Sequence, residues 1–207
     1  MIIVSDFDGT LTLDDVTTFV WDKYLGYDWR AKLLPPTYEG RWTPLEMIAH
    51  GYGDIRVPPK ELLAEIRDNV RMRPGVEALG TFCRGRGWIF AVVSHGLSFY
   101  IEALLPSWIP FTSFVGTFNE WSWRVALPPT MVLRPGEDFK SRVVADLRTR
   151  YPGRQTVYLG DGRLDLAAAL TCDRIFAVGG SSLADLVRVT GRSVEEFESL
   201  DEVAASL

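Results

Sequence analysis

The chain opens Met1-Ile2-Ile3-Val4-Ser5-Asp6-Phe7-Asp8-Gly9-Thr10. An apolar run over residues 1–5 meets two carboxylates and then a Gly-Thr turn. The run predicts a buried strand, and the polar residues after it predict a loop at the strand's carboxyl end. Asp6 and Asp8 are two positions apart, so in extended backbone both side chains point the same way. The pattern recurs twice. Trp88-Ile89-Phe90-Ala91-Val92-Val93 runs into Ser94-His95-Gly96, and Thr156-Val157-Tyr158-Leu159 runs into Gly160-Asp161-Gly162-Arg163-Leu164-Asp165.

Helical patterns separate these strands. Helices are predicted from Pro74 to near Gly85-Arg86-Gly87, over about residues 97–105, over 140–150, over 164–170 and over 183–189, with a further strand at 174–178. Residues 111–133 read as short strands and loops, and the acidic tail from Val194 as partly helical. Strands that are apolar throughout and alternate with helices predict a Rossmann-like α/β fold, a parallel sheet covered by helices on both faces. The stretch 13–72 carries helical patterns and no strand. Val16, Phe19, Val20 and Tyr24 predict a helix that Pro35-Pro36 ends. Thr43-Pro44-Leu45-Glu46 has the form of an N-cap, an N1 proline and a capping-box glutamate, opening a helix to about Ala49. Pro58-Pro59 opens another over 60–71, with Leu62, Leu63, Ile66 and Val70 on one stripe. The expected organisation is a core of residues 1–12 and 73–207 with a helical cap, residues 13–72, inserted after the first strand.

Composition narrows the function. Apolar residues make up 47% of 207 and charged residues 24%, which excludes a disordered chain. The net charge of −5 argues against general nucleic-acid binding. No apolar run approaches the roughly 18 residues of a membrane span. The first residues lack a basic region and reach a carboxylate at Asp6, unlike a signal peptide. Cys83 and Cys172 read as buried thiols, consistent with a cytoplasmic protein. With only His50 and His95 in the chain, carboxylates are left to carry the chemistry.

Ligands bind outside the carboxyl ends of the strands of an open α/β sheet, so the three polar clusters are expected to converge. Asp6, Asp8, Asp161 and Asp165 would repel one another at that edge unless a cation sat among them. Oxygen ligands of this kind suit Mg²⁺, held by carboxylates, waters and phosphate oxygens. Ser94, backbone amides and a lysine would then neutralise a phosphate.

In this order, Asp6-Phe7-Asp8-Gly9-Thr10, Ser94, Lys140 and Gly160-Asp161-Gly162-Arg163-Leu164-Asp165 resemble the four motifs of the haloacid dehalogenase superfamily of phosphohydrolases. The insertion is similar to the helical cap of its phosphoserine-phosphatase-like branch, with Glu39-Gly40-Arg41-Trp42 inside it, and the layout is also similar to that of a methionine-salvage phosphatase. The resemblance implies that Asp6 is the nucleophile, forming an aspartyl-phosphate, and that Asp8 is the general acid and then the base. It implies Mg²⁺ on Asp6, the backbone carbonyl of Asp8 and Asp161, with Asp165 in or near the same shell, and Ser94 and Lys140 on the phosphoryl oxygens. The reaction is then hydrolysis of a small phosphate ester, with no nucleic acid or membrane as partner.

Three positions depart from the family pattern. His95 stands where a glycine is usual, and it either contacts substrate beside Ser94 or points outward. Leu164 replaces a frequent asparagine. Asp15 stands where the branch often has a glutamate, and by itself reads as a helix-start acid. Trp21, Tyr24, Trp29 and Trp42 read first as the cap's own core. Trp121-Ser122-Trp123-Arg124 alternates like a strand with both tryptophans on one face. The branch's cap arginine, which meets a substrate carboxylate, aligns without gaps to Gly51, and no arginine lies between Arg41 and Arg56. Phosphoserine is therefore expected to be a poor substrate. A phosphoserine phosphatase, a phosphotransferase with the same site, and a phosphoacceptor signalling domain are the competing readings.

Overall fold

The computed structural model describes residues 1–207. Strand β1 (Ile2–Ser5) lies at the centre of the sheet. It pairs in parallel with β2 (Ile89–Leu97) on one side and with β5 (Thr156–Gly160) on the other. The hairpin of β3 (Phe111–Asn119) and β4 (Ser122–Ala126) extends the β2 side; β6 (Arg174–Val178) and β7 (Glu195–Phe197) extend the other. The seven strands run in the order β4-β3-β2-β1-β5-β6-β7, and only the β3–β4 pair is antiparallel.

Every residue of β1 and β5 is buried, so both faces of the sheet centre are covered. One group of helices is α5 (Val76–Gly85) and α10 (Leu200–Ser206), which pack together. Another is α7 (Phe139–Arg150), α8 (Leu166–Leu170) and α9 (Ser182–Val189), with a 3₁₀ turn over Arg163–Asp165 leading into α8. Helix α6 (Ser98–Leu104) follows β2 and packs on β3. Between β1 and α5 stand four helices: α1 (Val16–Tyr24), α2 (Trp29–Tyr38), α3 (Pro44–Gly53) and α4 (Pro59–Asn69). The chain leaves and re-enters the core at one place, where Thr12 bridges Met72, Leu13 donates to the Arg71 carbonyl and Arg73 to the Leu11 carbonyl. Cys83 and Cys172 are free and buried, and no helix is long and apolar enough to cross a membrane.

Several local expectations need correction. Pro35 and Pro36 do not end a helix over 13–34. That segment is two helices, α1 and α2, and both prolines lie inside α2, which Asp28 caps through the Ala31 amide. The carbonyls that lose their amide partners are those of Ala31 and Lys32, both exposed, so water can take the place of the missing bonds. The capping box of Thr43 and Glu46 forms, but α3 runs past Ala49 to Gly53. Burial of Tyr52, and of Gly51 against Trp21, overrides the weak helix propensity of the two glycines. Ser94-His95-Gly96 lies within β2, not after it. The ladder to β3 shifts register between Ser94 and Leu97, and this bulge aims the segment at the sheet edge. Trp121 sits in the tight turn between Asn119 and Ser122 and is 75% exposed, while Trp123 is buried, so the two do not share a face. Strand β7 escaped the sequence reading because Glu195-Glu196-Phe197 is a short charged edge strand with no apolar pattern.

Candidate active site

The chain crosses from β1 to β2 on one side and reaches β5 on the other, so the carboxyl end of β1 is the switch point where an α/β sheet opens a crevice. Asp6 sits there, its amide donating to the Leu159 carbonyl at 2.8 Å. Lys140, in the first turn of α7, is buried and donates to Asp6 Oδ1 and to Asp165 Oδ1, both at 2.6 Å. Tyr158 also donates to Asp165 Oδ1, and the amides of Asp161 and Gly162 donate to Asp165 Oδ2, so both oxygens of Asp165 are occupied. The Thr10 hydroxyl lies 3.0 Å from Asp161 Oδ1 and 3.4 Å from Asp6 Oδ2, tying the first loop to the last. Arg73, also buried, donates to the carbonyls of Gly9, Thr10 and Glu198 and clamps the first loop from beneath.

Asp6, Asp161 and Asp165 each place a carboxylate oxygen within 4.8 Å of the others. Asp8 does not join them. Its Oδ2 accepts from the Ser94 hydroxyl at 3.0 Å and from the Tyr100 hydroxyl at 2.8 Å, while its Oδ1 is buried with no partner. The Ser94 oxygen itself accepts from the Gly96 amide.

The electrostatics follow from burial. Loss of water, then the charge of Asp165, raises Asp6 to about 7 against the relief offered by Lys140. Burial, then Asp165 and Asp6, raises Asp161 to about 9. Burial also works against the charge of Lys140, but Asp165 and Asp6 outweigh it and its pKa is raised. Fully ionised, the three carboxylates outnumber the one ammonium, and the donors are all hard oxygens. This is the set that a divalent cation of the Mg²⁺ or Ca²⁺ type fits. Burial raises Asp8 well above the ordinary carboxylate value, with Asp15 and Asp6 adding to it.

Over this edge lies a cavity of about 240 Å³ between the core and helices α1 to α3. Asp15 is the N-cap of α1, accepting from the Thr18 amide at 2.5 Å, and it also faces the cavity. Asp15 thus caps α1 and lines the cavity at once. Trp21 and Trp29 are buried and meet edge to face at 5.0 Å, forming packing for the insertion and, with Met47 and Ile48, a cavity wall. Trp42 instead stacks on His50 at 4.3 Å, and neither it nor Tyr24 lines the cavity. Two cations line it, both from the core: Lys140, and Arg163 over the ring of Tyr38 at 5.1 Å. His95 is buried at the cavity between Phe114 and Phe139 with Nε2 unpartnered, and burial pushes its pKa well down, so the ring is neutral.

The structure thus brings Asp6, Asp8, Ser94, His95, Lys140, Asp161 and Asp165 around one cavity. Sequence reading passed over Arg73, Tyr100 and Tyr158. Each sits in or beside an apolar stretch and looks like ordinary core or loop until its partner is seen across the fold.

A family model described as haloacid dehalogenase-like hydrolase matches residues 3–170. The chain is 23% identical to Pdp3-interacting factor 1 of Schizosaccharomyces pombe, over 99% of this chain and 93% of that protein. It is 24% identical to polyol phosphate phosphatase PYP1 of Saccharomyces cerevisiae, over all of this chain and 92% of that one. Among solved structures, one titled as a phospho-aspartyl intermediate analogue of phosphoserine phosphatase superposes with a TM-score of 0.75 at 16% identity, covering 100% of this chain and 98% of that chain. At that identity the likeness is one of fold.

Proposed function

Because the chain belongs to the haloacid dehalogenase-like hydrolase family, we propose that it is a Mg²⁺-dependent phosphatase that hydrolyses a small phosphate monoester through an aspartyl-phosphate on Asp6. The observation that carries this reading is the separation of two carboxylates two residues apart. Asp6 stands in the charged cluster with Lys140, while Asp8 is turned out of it onto Ser94 and Tyr100. This division supports a reading in which Asp6 attacks and Asp8 handles a proton.

Asp6, Asp161 and the backbone carbonyl of Asp8 would hold Mg²⁺, with Asp165 behind them. The ion supplies positive charge for the phosphoryl oxygens and for the carboxylates themselves. An oxygen of Asp6 attacks phosphorus as the bond to the ester oxygen breaks, and Asp8 gives its proton to that departing oxygen. Asp8, now a carboxylate, takes a proton from water as the water oxygen attacks phosphorus. The bond to Asp6 breaks, and inorganic phosphate leaves. Lys140 spends two of its three N–H donors on Asp6 and Asp165 and keeps one for a phosphoryl oxygen. Ser94 and His95 line the phosphoryl pocket from the β2 side.

Residues 13–72 act as a cap that selects the ester's other half. Their side of the cavity offers Trp21, Trp29, Leu34, Met47 and Ile48, the hydroxyls of Thr17 and Thr18, and the acid Asp15, with no cation. A tail bearing a carboxylate would face Asp15 with no guanidinium from the cap to receive it. An uncharged, hydroxylated tail fits the indole and hydroxyl wall, which agrees with the name of the relative called a polyol phosphate phosphatase. Buried thiols without a disulfide fit a reducing compartment such as the cytoplasm.

The test is phosphate release from a panel of polyol phosphates and phosphoserine at fixed Mg²⁺, with and without chelator. Polyol phosphates should be hydrolysed with the higher kcat/KM, and chelator should abolish release. A preference for phosphoserine would reverse the substrate assignment. Full activity in excess chelator, or in Asp6→Asn, would reject the chemistry.

A further inference from the structure

Tyr100 has no role in the chemistry derived so far, yet its hydroxyl donates to Asp8 Oδ2 at 2.8 Å from the first turns of α6. It is fully buried, and Asp8 is buried as well. The Ser94 hydroxyl donates to the same Oδ2. Two O–H donors occupy Oδ2, which leaves Oδ1, the atom that has no partner in the protein, to carry a proton. The position next to it is adapted to this contact. A β-carbon on Gly96 would collide both with the Tyr100 hydroxyl and with Asp8 Oδ2, so a side chain there would displace the pair.

The phenol also touches the helical insertion. Helix α6, which carries the phenol, packs against α4 of the insertion. Tyr52 is buried with its own hydroxyl unpartnered.

We propose that Tyr100 is a positioning residue: together with Ser94 it pins Asp8 Oδ2 and so presents Oδ1 to the ester oxygen and, later, to the attacking water. The proposal rests on the reading of Asp8 as the proton donor. The step is unchanged in its balance, since the proton on Oδ1 passes to the leaving oxygen as the P–O bond breaks, and Tyr100 keeps its own proton throughout. Removing the phenol oxygen frees the carboxyl to rotate, and a misaligned acid costs most where the leaving group most needs a proton.

The experiment compares wild type, Tyr100→Phe and Asp8→Asn on an alkyl ester, glycerol phosphate, and an aryl ester, p-nitrophenyl phosphate. The quantity read is kcat/KM, which reports transfer to Asp6 before water enters. Phenylalanine keeps the ring in its place against Phe7 and Phe99, and a thermal melt checks that the fold is retained. Tyr100→Phe should lose about 10- to 100-fold on the alkyl ester, at least about tenfold more than on the aryl ester. Asp8→Asn should show the same bias, larger. If Asp8→Asn is biased and Tyr100→Phe loses equally on both esters, or on neither, the positioning role is overturned and the mechanism stands. If Asp8→Asn itself shows no bias, the mechanism falls and the role of Tyr100 falls with it.

Discussion

The indole of Trp21 occupies the volume that a β-carbon on Gly51 would need. Through this contact α1 lies directly against the backbone of α3, and the indole is fixed further by Trp29 at 5.0 Å and Tyr52 at 6.1 Å, both edge to face. Trp21 is consequently a rigid part of the cavity wall. A side chain at position 51 would have to displace this indole.

Gly51→Ala should therefore act on stability and on substrate together. Overpacking of this kind costs about 1–3 kcal/mol, and the displaced indole should raise KM more than it lowers kcat. A thermal melt and steady-state kinetics on a polyol phosphate read both effects. An unchanged midpoint would mean that the two helices do not interlock in solution.

Asp6→Asn should separate activity from stability. Turnover should fall by roughly three orders of magnitude or more, as for other lost nucleophiles. The metal-free protein should melt at the same temperature or higher, because a neutral amide replaces a carboxyl that burial and Asp165 already disfavour as an anion. A large drop in melting temperature would count against the crowded-charge account.

Lys140→Met should do the opposite to the fold. It leaves Asp6 and Asp165, both buried, without their shared ammonium. Breaking a buried pair in this way costs about 3–5 kcal/mol. Chemical denaturation of the metal-free protein measures the loss, and an intact midpoint would show that the lysine is not the cluster's counter-charge.

The effect of Mg²⁺ should depend on pH in a defined direction. Asp6 and Asp161 have folded values of about 7 and about 9, above their ordinary value of 3.8. Folding thus takes up protons, and the metal-free protein loses stability as pH rises from the unfolded value through the folded ones. A cation replaces those protons, so the rise in melting temperature on adding Mg²⁺ should be larger at about pH 8 than at about pH 6. An increment that is flat or falls with pH contradicts the assignment of these carboxyls as ligands.

Much of the fold was legible because its signals are local. The apolar runs at Ile2–Ser5 and Thr156–Gly160 form strands where their pattern placed them, and Thr43 and Glu46 form the capping box their spacing announced. What misled was also local. Pro35 and Pro36 read as a stop because an isolated helix pays for missing bonds, whereas here the affected carbonyls face water. Glu195–Phe197 read as tail because an edge strand tolerates charges that a central one cannot.

The sequence by itself determined that the strand-end clusters of Asp6 and Asp8, of Ser94, and of Asp161 and Asp165 would meet, while Lys140 entered only through the family resemblance. Each lies in, or close after, an element whose type its neighbours dictate, and a parallel sheet brings its carboxyl-end loops together. Only the tertiary structure decided how those groups divide. Asp8 leaves the charged cluster because Tyr100, 92 positions away, is carried to it by the packing of α6 under the insertion, and Asp165 turns inward because Lys140, Tyr158 and two amides occupy both its oxygens. A buried carboxylate settles wherever donors compensate its lost water, and donors from distant parts of the chain are fixed by packing, which no spacing along the sequence encodes.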